Sequence, residues 1–503
     1  MGINTLAFLL FFVFGITVFY LLPQRLKWPF LLLLSLSYIS FKDIRGIVFI
    51  VLSSLSVFLG GRLFEKRNEP KDASFRKKIL ILIMIFNLGV LFFVKYVKPI
   101  YGAFSGKTPP ELDKIPFFDS IIIPLGISYY TLQILSYLLD VYWGRQKAET
   151  NYGKLLLFTC YFPQMIQGPI SRYGALSAEF FKEHRFKLHN LKFGLQLMLW
   201  GFFKKMVIAD KVGPYVQRIF FSHKEPYGLT VVLGLIFYGI QLYCDFSGGI
   251  DVIRGVSECF DVKLAENFRQ PYFSRSLGEF WRRWHITLGS WMKDYVFYPL
   301  SLSRPMTKFK KSLKKKISRV TVNRIQIAIC DIVVFLLVGY WHGAESIYWA
   351  WGLYNGIILA ISALLTDVYA GWRKKLGVDP KRKLWDNLFI ARTLVIVTVG
   401  WIFDCSKTAL GSLNLLKNAF IISKTSFEPI VLNLVDLVEI AELIIFCAIL
   451  FKVSRMKERG VVVREKIEAL PFAVQVIIWV GMIQLVACFG RSSGEVGFMY
   501  ANF

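Results

Sequence analysis

His342 stands at the end of one apolar run and just before another, in the stretch FLLVGYWHGAES (335–346), with Trp341 beside it and Glu345 three residues on. The chain has five histidines in 503 residues, and a titratable ring at membrane depth is costly unless it has a use. A neutral imidazole in apolar surroundings suits general-base work, because desolvation disfavours the imidazolium. A membrane-interface histidine bonded to a carbonyl would leave the same trace, and depth alone does not choose between the two. Asp331 lies eleven residues earlier, nearly three whole turns. It shares the face of His342 but sits about 16 Å away along a helix axis, too far to orient the ring directly. Glu345 reaches His342 at i,i+3 only if the helix survives Gly343.

A second constellation is LGEFWRRWHITLGSWMKDYVFYPL (277–300), in which Trp281, Trp284, Trp291 and Tyr295 interleave with Arg282, Arg283, His285 and Lys293. Read as a helix, it puts Trp281 and His285 on one face at i,i+4. An interfacial helix snorkelling its cations has this composition too. The sharper reading makes His285 a second ring directed into the membrane interior. Two lesser stretches follow. In YFPQMIQGPISRY (161–173) two prolines and Gly168 break any regular span, and Gln164 and Gln167 could line a polar passage or merely satisfy backbone groups. In LYCDFSGG (242–249) Asp245 ends an apolar span beside a flexible Ser-Gly-Gly, as a helix end, an arginine partner or a site residue.

The elements that position these residues follow from composition. Hydrophobic residues make up 55% and charged residues only 19%, against about 25% charged in a soluble domain. Several apolar stretches approach the roughly 20 residues that span a bilayer. The chain therefore reads as an all-α polytopic membrane protein. A β-barrel is excluded because the runs are continuous rather than alternating. The net charge of +27 does not point to nucleic acid, since the cations cluster between apolar runs, as at 62–78, 308–324, 373–383 and 452–466. That is the positive-inside pattern, which orients helices and meets anionic membrane lipids. The first cation is Arg25 and no small-residue cleavage site follows the first apolar stretch, so the N-terminus reads as a retained membrane segment. Seven scattered cysteines support neither a disulfide framework nor a zinc site. No Walker-type, G-x-G-x-x-G, HExxH or G-x-S-x-G pattern occurs, and no Asp-His-His-Cys run.

Twelve candidate spans result: 5–22, 28–41, 46–60, 79–95, 119–141, 193–210, 228–248, 326–341, 346–366, 388–403, 431–451 and 470–489. Placing the basic 62–78 loop in the cytoplasm puts both termini outside. The stretch 155–170 must then enter and leave on one side, as a broken re-entrant element or a short interfacial helix. The segment 251–325 becomes cytoplasmic and 326–366 a hairpin. Spans shorter than about 17 residues imply tilting, a thinned bilayer or partial insertion. The expectation is one membrane domain over 1–503, with N-terminal spans at 1–95, a core at 96–366 carrying both histidines, and C-terminal spans at 367–503.

Together QGPISRY (167–173), YCDFSGG (243–249), EFWRRWHITLGSWMKDYVFYPL (279–300) and GYWHGAESIYWAWGLYNG (339–356) resemble the membrane-bound O-acyltransferase (MBOAT) superfamily. More narrowly they are similar to its alginate O-acetyltransferase branch and to the branch that D-alanylates teichoic acids. PLGISYYTLQILSYLLDVYWG (124–144) and the ending FMYANF (498–503) fit the alginate-type pattern. The resemblance implies a ring of helices around a central tunnel in a bacterial cytoplasmic membrane, with His342 catalytic and His285 facing it. It further implies that no cofactor is bound and that acetyl-CoA is the acyl donor substrate. A polysaccharide or an extracytoplasmic SGNH-type protein would accept the acyl group. Trp341, Trp281, Arg282, Arg283, Gln167 and Asp245 are then candidates for substrate contact, the arginines for the donor's phosphates. About 160 residues follow His342, more than the D-alanyl branch usually carries, which favours O-acetylation of an exported or cell-surface polysaccharide. The alternatives are D-alanyl or other acyl transfer from a carrier protein, and, outside enzymes, a membrane transporter or scaffold.

Overall fold

A backbone surrounded by apolar side chains can satisfy its polar groups only within itself, and the chain is accordingly built from helices. The structure is a computed structural model that describes residues 2–3, 5–106, 109–112, 114–119, 121, 123–222, 225–379, 382–421 and 434–491. The ending FMYANF and the first three residues of the candidate span 431–451 lie outside the described residues. β-type pairing is limited, among the described residues, to one isolated antiparallel bridge between Phe268 and Trp284.

Among the described residues, seven helices are long and apolar enough to cross a bilayer: Arg45–Lys66, Pro70–Gly102, Leu229–Cys259, Arg319–His342, Ser346–Leu364, Lys383–Phe403 and Phe472–Phe489. Each coincides with an expected span. The other five expected spans take different forms. Leu6–Leu21, Ile127–Tyr142 and Leu188–Phe202 are shorter than a straight crossing needs. Gln24–Asp43 carries Pro29 and a buried Lys27, and Leu434–Glu458 carries Asp436, Glu439 and Glu442 in its first half. Apolar content is thus legible in sequence, whereas the length of a straight helix is not.

The described residues fall into two compact units. The first comprises residues 1–202 and 249–265. Its centre is Ile127–Tyr142, buried on nearly every side, as a helix apolar all round must be. Arg45–Lys66 and Ala73–Ser105 pack on it. The stretch 155–170 is broken here as the sequence predicts, into Tyr152–Cys160 and Phe162–Gln167, with the chain extended at Gly168. Pro163 sits in the first turn of the second piece, where its missing N–H costs nothing.

The second unit comprises residues 203–248 and 266–493. Its dominant feature is the hairpin of Arg319–His342 and Ser346–Leu364. The glycines of the 339–356 motif are its seam. A Cβ on Gly339 would lie 2.3 Å from the Tyr348 carbonyl oxygen, and one on Gly352 2.5 Å from that of Phe335. Small residues let two apolar helices approach backbone to backbone, where lipid offers no hydrophobic incentive to associate.

One expectation is corrected. Ser247-Gly248-Gly249 does not end a span; it lies inside the 31-residue helix Leu229–Cys259, and the chain stays helical well past 251. Farther along that helix Gly255 sits so close to Gly194 that a Cβ would fall 2.5 Å from the Gly194 oxygen. Close helix contact of this kind offsets the weak helix propensity of glycine.

Candidate active site

His342 is the last residue of Arg319–His342. Gly343 caps the helix in extended conformation, its N–H donating to the Gly339 carbonyl at 3.2 Å. Its lack of a side chain matters, because a Cβ there would fall 2.2 Å from the Tyr348 ring and 2.6 Å from Glu345 Oε2. The helix therefore does not survive Gly343, and Glu345 instead precedes the returning helix; the i,i+3 route to His342 is closed. Asp331 shares an unbroken helix with His342, so the separation of about 16 Å stands. The half-buried imidazole meets Trp341 edge-on at 5.1 Å between centroids, Trp351 edge-on at 5.5 Å and Tyr348 stacked at 6.3 Å.

His285 is reached differently. Ser276 caps the short helix Leu277–Arg283 by accepting the Glu279 N–H at 3.2 Å. The helix then stops: Trp284 is extended, His285 is left-handed at φ +46°, and a new helix runs from Ile286 to Met292. Trp281 and His285 are thus not on one helical face. The break comes from the segment around Asn267, which pairs with this one. Arg269 donates its N–H to the Arg283 carbonyl at 2.9 Å, and Ile286 donates to the Asn267 carbonyl at 3.0 Å. A left-handed non-glycine residue is strained and persists only where its surroundings over-determine it.

Asn267 supplies much of that determination. It is fully buried, and its Oδ1 accepts from the Thr287 N–H at 3.0 Å and the Thr287 hydroxyl at 2.9 Å. The same oxygen faces His285 Nδ1 at 3.3 Å. A backbone N–H can only donate, so the amide atom it meets is the oxygen, and His285 Nδ1 must then carry the proton. In the neutral ring the lone pair is left on Nε2. His285 is 4% exposed, and burial pushes its pKa down to about 3, which keeps it neutral at physiological pH. Phe246 packs edge-on against it at 4.9 Å.

The two imidazoles meet at one residue. Trp341 lies 6.3 Å from the His285 ring and 5.1 Å from the His342 ring, edge-on to both. Trp281 extends this cluster: it contacts Trp351 at 5.4 Å and donates its indole N–H to Asn355 at 3.2 Å. His342, His285, Trp341 and Trp281 are therefore brought together in one aromatic cluster. Arg282 is exposed. Arg283 is engaged by carboxylates, at 2.7 Å to Glu279 and 2.7 Å to Glu458.

The remaining expected residues sit otherwise. Asp245 is buried and paired with Lys205, which also binds Asp210 at 2.9 Å. Its partner is thus a lysine in mid-helix rather than an arginine at a helix end. Its neighbour Phe246 is the one that touches His285. Gln167 lies in the first unit, fully buried, with neither amide atom hydrogen-bonded to a described residue. Gln164 donates to the Pro169 carbonyl and to Ser171 at 2.9 Å, which satisfies a local turn.

Sequence reading missed Asn267, Thr287, Phe246, Tyr348 and Trp351. Tyr348 and Trp351 stood inside a quoted motif and needed only the hairpin register to be found. Asn267 comes from a non-periodic segment (261–276), where no pattern announces a partner eighteen residues away.

Comparison with known proteins gives a consistent result. Residues 149–376 match the family model for MBOAT, the membrane-bound O-acyltransferase family. A probable alginate O-acetylase of Pseudomonas aeruginosa is 32% identical over 407 residues, covering 79% of this chain and 70% of that protein. A peptidoglycan O-acetyltransferase of Helicobacter pylori is 28% identical, covering 82% and 79%. A teichoic acid D-alanyltransferase of Bacillus subtilis is 30% identical, covering 56% of this chain and 68% of that protein.

Proposed function

Since this chain belongs to the membrane-bound O-acyltransferase family and is a multi-pass membrane O-acyltransferase, we propose that it O-acetylates an exported or cell-surface polysaccharide with cytoplasmic acetyl-CoA, using His342 as general base. The acceptor oxygen attacks the thioester carbonyl, its proton passes to His342, the C–S bond breaks, and the proton leaves on the coenzyme A thiolate. General-base assistance of this kind is worth on the order of 10²–10⁴ in rate. The observation that carries this reading is the shared packing of both imidazoles on Trp341.

The protonation of His285 sharpens its role. With Nδ1–H given to Asn267, Nε2 accepts and does not donate, so it suits an N–H of the donor's pantetheine arm rather than a developing oxyanion. Asn267 and Thr287 act through His285 as positioning residues. Trp341 and Trp281 line the acyl end. Arg282, exposed and without a carboxylate partner among the described residues, is better suited than Arg283 to the donor's phosphates. Gln167 and Asp245, each within its own unit, remain candidates for substrate contact. The reading includes a bacterial cytoplasmic membrane, both termini outside, and an extracytoplasmic acceptor protein as relay.

The second reading is D-alanyl transfer from a carrier protein to a teichoic-acid-type polymer, supported by the Bacillus relative. Coverage favours the first: the two O-acetyl relatives align over 79% and 82% of this chain, the D-alanyl relative over 56%. Purified protein offered labelled acetyl-CoA or a labelled D-alanyl carrier separates them. Acetyl label should reach the acceptor; label arriving only from the carrier overturns acetylation.

A further inference from the structure

Between Asp294 and Asp331 the chain has no acidic residue and nine basic ones: Arg304, Lys308, Lys310, Lys311, Lys314, Lys315, Lys316, Arg319 and Arg324. Two are used internally. Lys310 binds Gln326 at 2.5 Å, and Arg324 pairs with Asp367 at 2.6 Å. The other seven are exposed and make no ion pair with a described residue. Elsewhere basic clusters contain their own counterions: Arg62 with Glu65, Lys71 with Glu69, Lys182 with Glu179, Arg382 with Asp379. Orienting helices by positive charge requires no such deficit of acids, so this segment calls for an external anion.

The helix Arg304–Leu313 shows how the charge is presented. Met306, Lys310 and Leu313 fall on one face, where Met306 is buried and Lys310 is tied to the helix that begins at Arg319. Arg304, Lys308, Lys311 and, in the following turn, Lys315 fall on the opposite face at i, i+4, i+7 and i+11. Exposed apolar side chains occur in the same segment, off that stripe: Leu302 at 78%, Phe309 at 41% and Ile317 at 37%. A free phosphate gains nothing from them. A bilayer interface takes up both, with cations at the headgroups and apolar side chains at the acyl boundary. The segment also runs directly into the membrane-crossing helix Arg319–His342, which holds it at the height of the headgroups.

We propose that residues 302–319 form a surface for anionic phospholipid headgroups, with Arg304, Lys308, Lys311 and Lys315 as the contact stripe. The claim is independent of which acyl group is transferred. It is tested on the full chain reconstituted in phosphatidylcholine with traces of spin-labelled phosphatidylglycerol or spin-labelled phosphatidylcholine, comparing how strongly each associates with the protein. Wild type should favour phosphatidylglycerol severalfold, less so as salt rises. Lys308→Gln/Lys311→Gln/Lys315→Gln should abolish that preference, while the matching Lys→Arg triple variant keeps it. Unchanged preference in the glutamine variant overturns the proposal. So does loss of the preference on adding adenosine 3′,5′-bisphosphate, which would assign these cations to the acyl donor's phosphates. If the glutamine variant fails to fold, Lys311→Glu alone should lower the preference at least twofold, and no change there is equally fatal.

Discussion

His342 and His285 reach the same indole from two kinds of backbone. One closes an unbroken 24-residue helix whose register is set by glycines against its partner. The other sits in a left-handed break between two seven-residue helices, held by Asn267 from a separate segment. The first ring is half-buried and bordered by aromatic faces, and the second is enclosed with its proton position assigned. A base that must take up and release a proton belongs on the open side. A fixed hydrogen-bond acceptor belongs on the enclosed side, where reorganisation costs least.

The difference can be broken most sharply at the open ring. His342→Ala should lower acetyl transfer by about 10³-fold with unchanged membrane protein level, followed by labelled acetyl release into the polymer; retained transfer removes the base. His285→Ala should cost about 10²-fold, expressed as loss of acetyl-CoA affinity as well as turnover, because the ring is assigned to the donor. A loss confined to the acceptor's KM would transfer His285 to the other substrate. Asn267→Ala should cost roughly tenfold, the scale of losing an orienting hydrogen-bond partner. Asn267→Asp places a carboxylate against the ring and raises the His285 pKa from about 3. Its activity should therefore fall as pH drops through the new value, and a pH profile identical to wild type contradicts the contact.

The smallest effect concerns stability. His285 titrates near 6.5 when unfolded and near 3 when folded, so between these values the unfolded chain binds the extra proton. Stability from the neutral ring is complete above pH 6.5 and declines as pH falls toward 3. Between pH 7 and 4.5 the thermal midpoint of wild type should fall further than that of His285→Gln; an equal fall would mean the ring is not buried neutral.

How much was legible follows the same division. Helix existence, the 326–366 hairpin and the break in 155–170 rest on apolar runs, glycines and prolines, which are local in the chain, whereas the pairing of His285 with His342 comes from the family resemblance and not from spacing. The helical face shared by Trp281 and His285 failed because periodicity cannot foresee a segment eighteen residues away pulling Trp284 out of the helix. The end of a span at Asp245 failed because glycine in a tightly packed membrane helix does not terminate it. Lys205 as the partner of Asp245 depends on tertiary packing that no spacing encodes.

The claim that the two rings form one acyl-transfer centre is tested most directly by a double-mutant cycle in labelled acetyl transfer, with His342→Ala, His285→Ala and both together. Residues acting as a unit are strongly non-additive, so the double variant should be no slower than His342→Ala alone, within about twofold. Losses that multiply to roughly 10⁵-fold, the product of the independent effects expected for base and acceptor, would contradict it and leave two imidazoles that share a tryptophan but not a reaction.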